Sequence, residues 1–333
     1  MENNINYLIT KLSKVIKEVD ALKRESNITI NTYNPQVIKS DNDSIIVNDN
    51  TSDAIITSDE ISGKATFTVK SIEIDNTVFD IPTSGTYTSG NAIFINSQED
   101  ASLTNSDVTT NFDQSSNVIK LTSAEVFKLD GVKFDGASYN TVMTGQNTNG
   151  KYLKYADITN CTFNDTCKHV YIWFAGWQDN AILNIKNCTF KSCEQMLCLS
   201  DYHAENKALS GTAFNNKLTV NIENCEIETY ENDEGDAYSG IILCDSRSIN
   251  GALANQFTTL NPFGNGKVTI NIKNVTVGGV KLTKDNFLMG TKNIGQMLYV
   301  YHASKNLNYE FNETNKSLFP TVYIDGELIT QLA

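Results

Sequence analysis

The sequence predicts an all-β solenoid preceded by a short coiled-coil helix. Three observations carry this reading: a motif that recurs from about residue 120 onward, an excess of asparagine, and a heptad near the start. The chain has 333 residues, enough for one large domain or two ordinary ones. Hydrophobic residues make up 40% of it, which suffices for a core. It holds about 40 asparagines, a residue that favours turns and tolerates positive φ. Proline is scarce, at 4 residues. Asn with Thr, Ser, Ile and Val reads as strands joined by tight bends.

The heptad comes first in the chain. Ile5, Leu8, Leu12, Val15, Val19 and Leu22 alternate at gaps of three and four, an a/d seam. Ile9 and Ile16 widen it, while Lys11, Lys14, Lys17, Glu18, Lys23 and Arg24 decorate the outside. A helix this short is marginal alone, so its association needs support elsewhere. The broad seam favours a homotrimer over a dimer. Docking of the same face onto a partner protein, or onto the chain's own domain, stays open.

The repeat sets the architecture. Its copies read ADITNCTFND (156–165), LNIKNCTFKS (183–192), VNIENCEIET (220–229) and INIKNVTVGG (270–279), with an earlier form FKLDGVKFDG (127–136). One aligned column holds Leu129, Ile158, Ile185, Ile222 and Ile272. The next holds Gly131, Asn160, Asn187, Asn224 and Asn274. Then come Val132, Cys161, Cys188, Cys225 and Val275, followed by Phe134, Phe163, Phe190, Ile227 and Val277. The intervals are 29, 27, 37 and 50 residues, a fixed unit with insertions that bulge from it.

Within LNIKNCTF the alternation breaks. Leu183 and Ile185 share one face of a strand, yet Cys188 and Phe190 fall out of phase with them. A corner at Asn187 repairs the phase. Asn takes the left-handed conformation at modest cost, and Gly131 fills the same column. The four asparagines then stack as a ladder, and the cysteines beside them pack as small apolar residues. All seven cysteines lie between Cys161 and Cys244 at spacings that match no zinc site.

This pattern resembles the right-handed parallel β-helix of pectate lyases, polygalacturonases and phage tailspikes. The resemblance covers about residues 120–303 and speaks to fold rather than activity. With the heptad and the composition of the remaining stretches, the sequence divides into an oligomerising helix over 1–24, an acidic β-rich connector for attachment over 25–65, irregular first coils over 66–120, the β-helix over 121–303 and capping strands over 304–333. The tail PTVYIDGELI (320–329) reads as a hairpin that shields the open end.

Second strands of successive coils lead into loops on one edge. These carry Trp177 and Asp179, then Asp201, Tyr202 and His203, then Asp245 and Arg247, then Tyr301 and His302. Trp177, Tyr202, His203 and Tyr301 are glycan-binding candidates, because aromatic rings stack on sugars. Asp201 and Asp245 form a candidate acid–base pair. Arg247 or His302 would instead abstract a proton beside a cation held by Asp201. Polar residues also simply end strands and cap loops. The catalytic motifs of the pectate lyases and polygalacturonases are absent, so no family residue is carried over. The acidic run ENDEGDAY offers Glu231, Asp233, Glu234 and Asp236, but not at EF-hand spacing. It reads as a solvated loop, and no metal or cofactor is expected.

The formal net charge of −13 argues against nucleic acid and against an anionic membrane surface as partners. No stretch reads as a secretory signal or a membrane span. The layout resembles a head or tail fibre of a tailed-phage virion, and the Asn-, Lys- and Ile-rich composition is similar to phages of gut bacteria, crAss-like phages included. The resemblance implies assembly in the host cytoplasm, attachment to a capsid or tail protein through the N-terminal region, and contact with a host-surface glycan. The alternatives are a polysaccharide depolymerase and a bacterial surface adhesin.

Overall fold

The computed structural model describes residues 38–39, 45–58, 60–81, 91–111, 117–144, 152–164, 166–191, 194–200, 216–228, 230–231, 237–238, 241–246, 261–290, 296–302 and 307–329. The expected helix over 1–24, with its seam of Ile5, Leu8, Leu12, Val15, Val19 and Leu22, lies outside them. Among the described residues the chain is all-β, with no α-helix and one 3-10 turn at Lys316–Leu318.

Most strands pair in parallel with the segment one turn earlier and one turn later, in three columns. In the first column one register line runs through Ile45, Ala65, Ile93, Ile119, Val142, Ile172, Leu197, Ile242 and Leu298. In the second it runs through Ile56, Ile74, Leu103, Leu129, Ile158, Ile185, Ile222, Ile272 and Ile324. In the third it runs through Phe79, Val108, Phe134, Phe163, Phe190, Ile227 and Val277. All these residues are buried. The pairing is compatible with a β-helix. Its first two columns start at Ile45 and Asp53, so they pass through the stretches assigned to the connector and the irregular coils.

Like stacks on like because each turn repeats the same inward positions about 4.8 Å further along. Phe163 stacks on Phe134 at 4.9 Å and on Phe190 at 4.6 Å. Leu183, Ile185, Cys188 and Phe190 all face the core, at no more than 1% exposure. Backbone groups at the corners are paired as well, since the corner amides from Asn76 to Asn224 donate to backbone carbonyls of the next turn, as from Asn187 to the Glu223 carbonyl at 2.9 Å.

The corner between the second and third columns is built on positive φ. Asn76, Asn105, Gly131, Asn160, Asn187, Asn224, Asn274 and Asp325 occupy it, with φ between 46° and 66°. A side-chain chain runs through the later members. Asn187 Nδ2 donates to Asn160 Oδ1 at 3.1 Å, Asn224 to Asn187 at 3.1 Å, and Asn274 to Asn224 at 2.9 Å. Gly131 has no amide to offer, so Asn160 Nδ2 reaches the Asp130 carboxylate at 2.7 Å instead.

At the far end each column stops in an antiparallel reversal. Val277 pairs with Val280, His302 with Leu307, and Ile324 with Glu327. Such reversals deny a further strand the parallel edge it would need. The last one turns through Asp325 (φ 48°) and Gly326 (φ 86°), two left-handed residues in succession.

Candidate functional site

The residues expected at one edge belong to the ends of the first-column strands. Strand Gln195–Ser200 ends just before Asp201, strand Ile242–Ser246 contains Asp245, and strand Gln296–His302 ends on His302. Register places Ser200 beside Asp245, Asp245 beside Tyr301, and Ser246 beside His302. Of the residues expected at this edge, Asp201, Tyr202, His203 and Arg247 lie outside the described residues.

Asp245, Ser200, Ser246 and His302 have no exposed surface. The outward side of this column is itself packed, as a second apolar cluster of Met143, Val170, Trp173, Ala175, Cys198, Leu243 and Tyr299, with Tyr301 half-buried against it. Met143, Trp173, Cys198, Leu243 and Tyr299 form one register line along that side. Burial, with the Asp245 carboxylate adding to it, pushes the Cys244 thiol well above its usual range. Asp245 and His302 are therefore enclosed in this structure, with no face open to a polymeric substrate.

Trp177 is placed differently from the expectation of an open sugar platform. It is 5% exposed and belongs to the main core. Its ring lies 6.4 Å from Phe174, nearly parallel, and 6.4 Å from Phe263. Its Nε1–H donates to the Asn216 carbonyl at 3.3 Å. The side chain closes the bend between two columns. Asp179 is exposed and accepts from the Lys217 amide at 2.9 Å, a loop-bracing role.

The chain matches no family model, no curated protein and no solved structure.

Two polar constellations escaped the sequence reading. The first sits where the chain enters the first column. Asn117 donates to Asn91 at 2.9 Å, Asn140 to Asn117 at 3.0 Å, and His169 Nδ1 lies 3.0 Å from Asn140 Oδ1. A bulge after Ser138 gives the later strand one extra residue and puts His169 in line with the amides. Tyr139 stacks on His169 at 5.2 Å, and His169 meets the Trp173 edge at 5.7 Å. Varied loop lengths between these residues hide the register in the sequence.

The second constellation runs along the outward side of the second column. Asn184 donates to Asp157 at 2.7 Å, Asn221 to Asn184 at 2.8 Å, and Asn271 to Asn221 at 2.9 Å. Asn184 also donates to the Tyr155 hydroxyl at 3.1 Å. Beside it Glu223 lies 3.8 Å from Lys186 and 3.1 Å from Lys273, so charge is matched turn by turn. Its signal is the repeated N-I-x-N at 184–187, 221–224 and 271–274, where the first Asn faces out and the second turns the corner. Among the described residues no cluster of His, Cys, Asp and Glu is arranged to hold a metal ion.

Proposed function

We propose that this chain is a structural fibre subunit of a virion, built as a right-handed parallel β-helix and carried on a trimeric N-terminal coiled coil. The N-terminal region attaches to a capsid or tail protein, and the solenoid projects outward and contacts a host-surface glycan. One observation carries the reading: three columns of in-register parallel strands, run from Ile45 to Ile324 and closed at the far end by three antiparallel reversals. A rod of this kind gains its stiffness from continuous core ladders and presents long polar sides. The enclosure of Asp245 and His302 favours a binding role over cleavage of the glycan.

Sedimentation equilibrium of the full chain tests the assembly, with a trimer expected and a monomer overturning it. Incubation with capsular polysaccharide tests the activity. Retention without release of reducing ends fits the fibre. Release that disappears in the Asp245→Ala variant would establish a depolymerase instead.

A further inference from the structure

The outward amide chain of the second column ends at Asn271. Each member spends its Nδ2 on the Oδ1 of the previous turn, so the last carbonyl, Asn271 Oδ1, accepts from no group among the described residues. The corner chain ends the same way at Asn274, whose Nδ2 goes to Asn224. Hydrogen bonds in series polarise one another, which makes the terminal carbonyls the strongest acceptors of their chains.

Tyr323 is the register neighbour of Asn271 on the next turn and the antiparallel neighbour of Leu328, which is 47% exposed. Asn271, Ile272, Lys273, Tyr323, Asp325 and Gly326 line a depression of about 540 Å³. Its charges are already matched. Lys273 pairs with Glu223 at 3.1 Å, and Asp325 pairs with Lys281 at 3.0 Å. The result is an aromatic ring beside an apolar side chain, next to an open acceptor, in a hollow without surplus charge. Sugars combine an apolar ring face with a rim of hydroxyl donors, and this hollow complements both. A carboxylated sugar would need an unmatched cation, which the hollow lacks.

We infer that the last turn of the second column is a subsite for a neutral sugar, with its ring against Tyr323 and a hydroxyl donating to Asn271 Oδ1. The inference rests on the glycan-binding reading above and gives it a location and a charge class.

Affinity electrophoresis of the full chain through gels containing dextran, mannan or laminarin tests this, with hyaluronan as the acidic comparison. Retention by a neutral polymer is expected, weakened about tenfold by Tyr323→Leu and by Asn271→Ala, which removes the acceptor, and unchanged by Thr189→Ala on the third column. Sedimentation of both variants should match the parent, and the melting temperature of Asn271→Ala should fall only by the loss of its one bond to Asn221. Protection of Tyr323 from nitration by the bound polymer, in the unsubstituted chain, reads the same contact without a variant. Equal retention of both variants, or unprotected Tyr323 in a retained chain, would overturn the subsite and leave glycan binding standing. Retention by hyaluronan alone would overturn the charge class. Absence of retention by every polymer would sink the glycan reading itself. A change of oligomeric state in either variant would assign this face to contact between copies and overturn the inference.

Discussion

Asn187 donates its side-chain amide to Asn160, one turn earlier, across 3.1 Å, and accepts the same bond from Asn224 at 3.1 Å. Its φ of 54° is one that Asn tolerates and Ala does not. Asn187→Ala should therefore lose two side-chain bonds and add backbone strain, together about 3 kcal/mol. Lys186→Ala should stay within about 0.5 kcal/mol, since its partner Glu223 lies 3.8 Å away at the surface. Thermal unfolding of the two variants against the parent checks the order. Asn187→Gly should fall between them, keeping the φ and losing the bonds.

Gly136 has a φ of 97°, and a Cβ there would sit 1.8 Å from the Thr110 carbonyl oxygen of the previous turn. Neither backbone can yield without breaking the parallel pairing of Gly136 with Thr110. Gly136→Ala should cost about 4 kcal/mol or more and show as loss of soluble, cooperatively melting protein. Gly266 is the control. Its φ of 72° is similar, but nothing lies within 4 Å of the added Cβ. Gly266→Ala should cost only about 1–2 kcal/mol of backbone strain.

The Phe163 ring is held between Phe134 and Phe190 in a continuous stack. Neighbouring turns cannot collapse onto the void of a Phe163→Ala change, because their spacing is fixed by backbone pairing above and below. The full cavity term should appear, about 3–5 kcal/mol. Phe163→Leu should lose less than half of that. Denaturant midpoints at unchanged slope would establish the comparison.

The sequence made the corner and the inward ladders legible because they repeat at a short fixed spacing. Ile185, Asn187, Cys188 and Phe190 sit within one motif, so the break in alternation itself reveals the turn. The first column was harder to read. Its segments, such as Gln195–Ser200 and Ile242–Ser246, follow insertions of unequal length, and nothing local fixes their register. The outward amides were hidden by a different cause. Asn184, Asn221 and Asn271 look like ordinary solvent-facing strand residues until the neighbouring turns are placed. Trp177 misled because an aromatic residue near a strand end reads equally well as a platform or a plug. Only the positions of Phe174 and Phe263 decide that it is a plug.

The stacked thiols make stability depend on alkaline pH. Hydrogen bonding with Cys161, with burial added, pushes the Cys188 thiol up to about 12. Cys225 is raised by its bond with Cys188 and by burial, and Cys244 by burial and Asp245. In the unfolded chain the same thiols ionise near about pH 8.5. Above that pH the unfolded state binds fewer protons than the folded state, so unfolding becomes easier as pH rises. The thiols' contribution is complete below the unfolded value and is lost progressively until the folded thiols themselves ionise, near about 12 for Cys188. The melting temperature should fall between about pH 8.5 and 10 more steeply in the parent than in a Cys161→Val, Cys188→Val, Cys225→Val variant. Cys188, Cys225 and Cys244, buried and held as thiols, and Cys161, shielded by burial, should resist an aromatic disulfide reagent in the folded protein at about pH 8 and react on unfolding. Rapid labelling of any of these four in the native protein, or parallel pH profiles for the parent and the valine variant, would overturn this account.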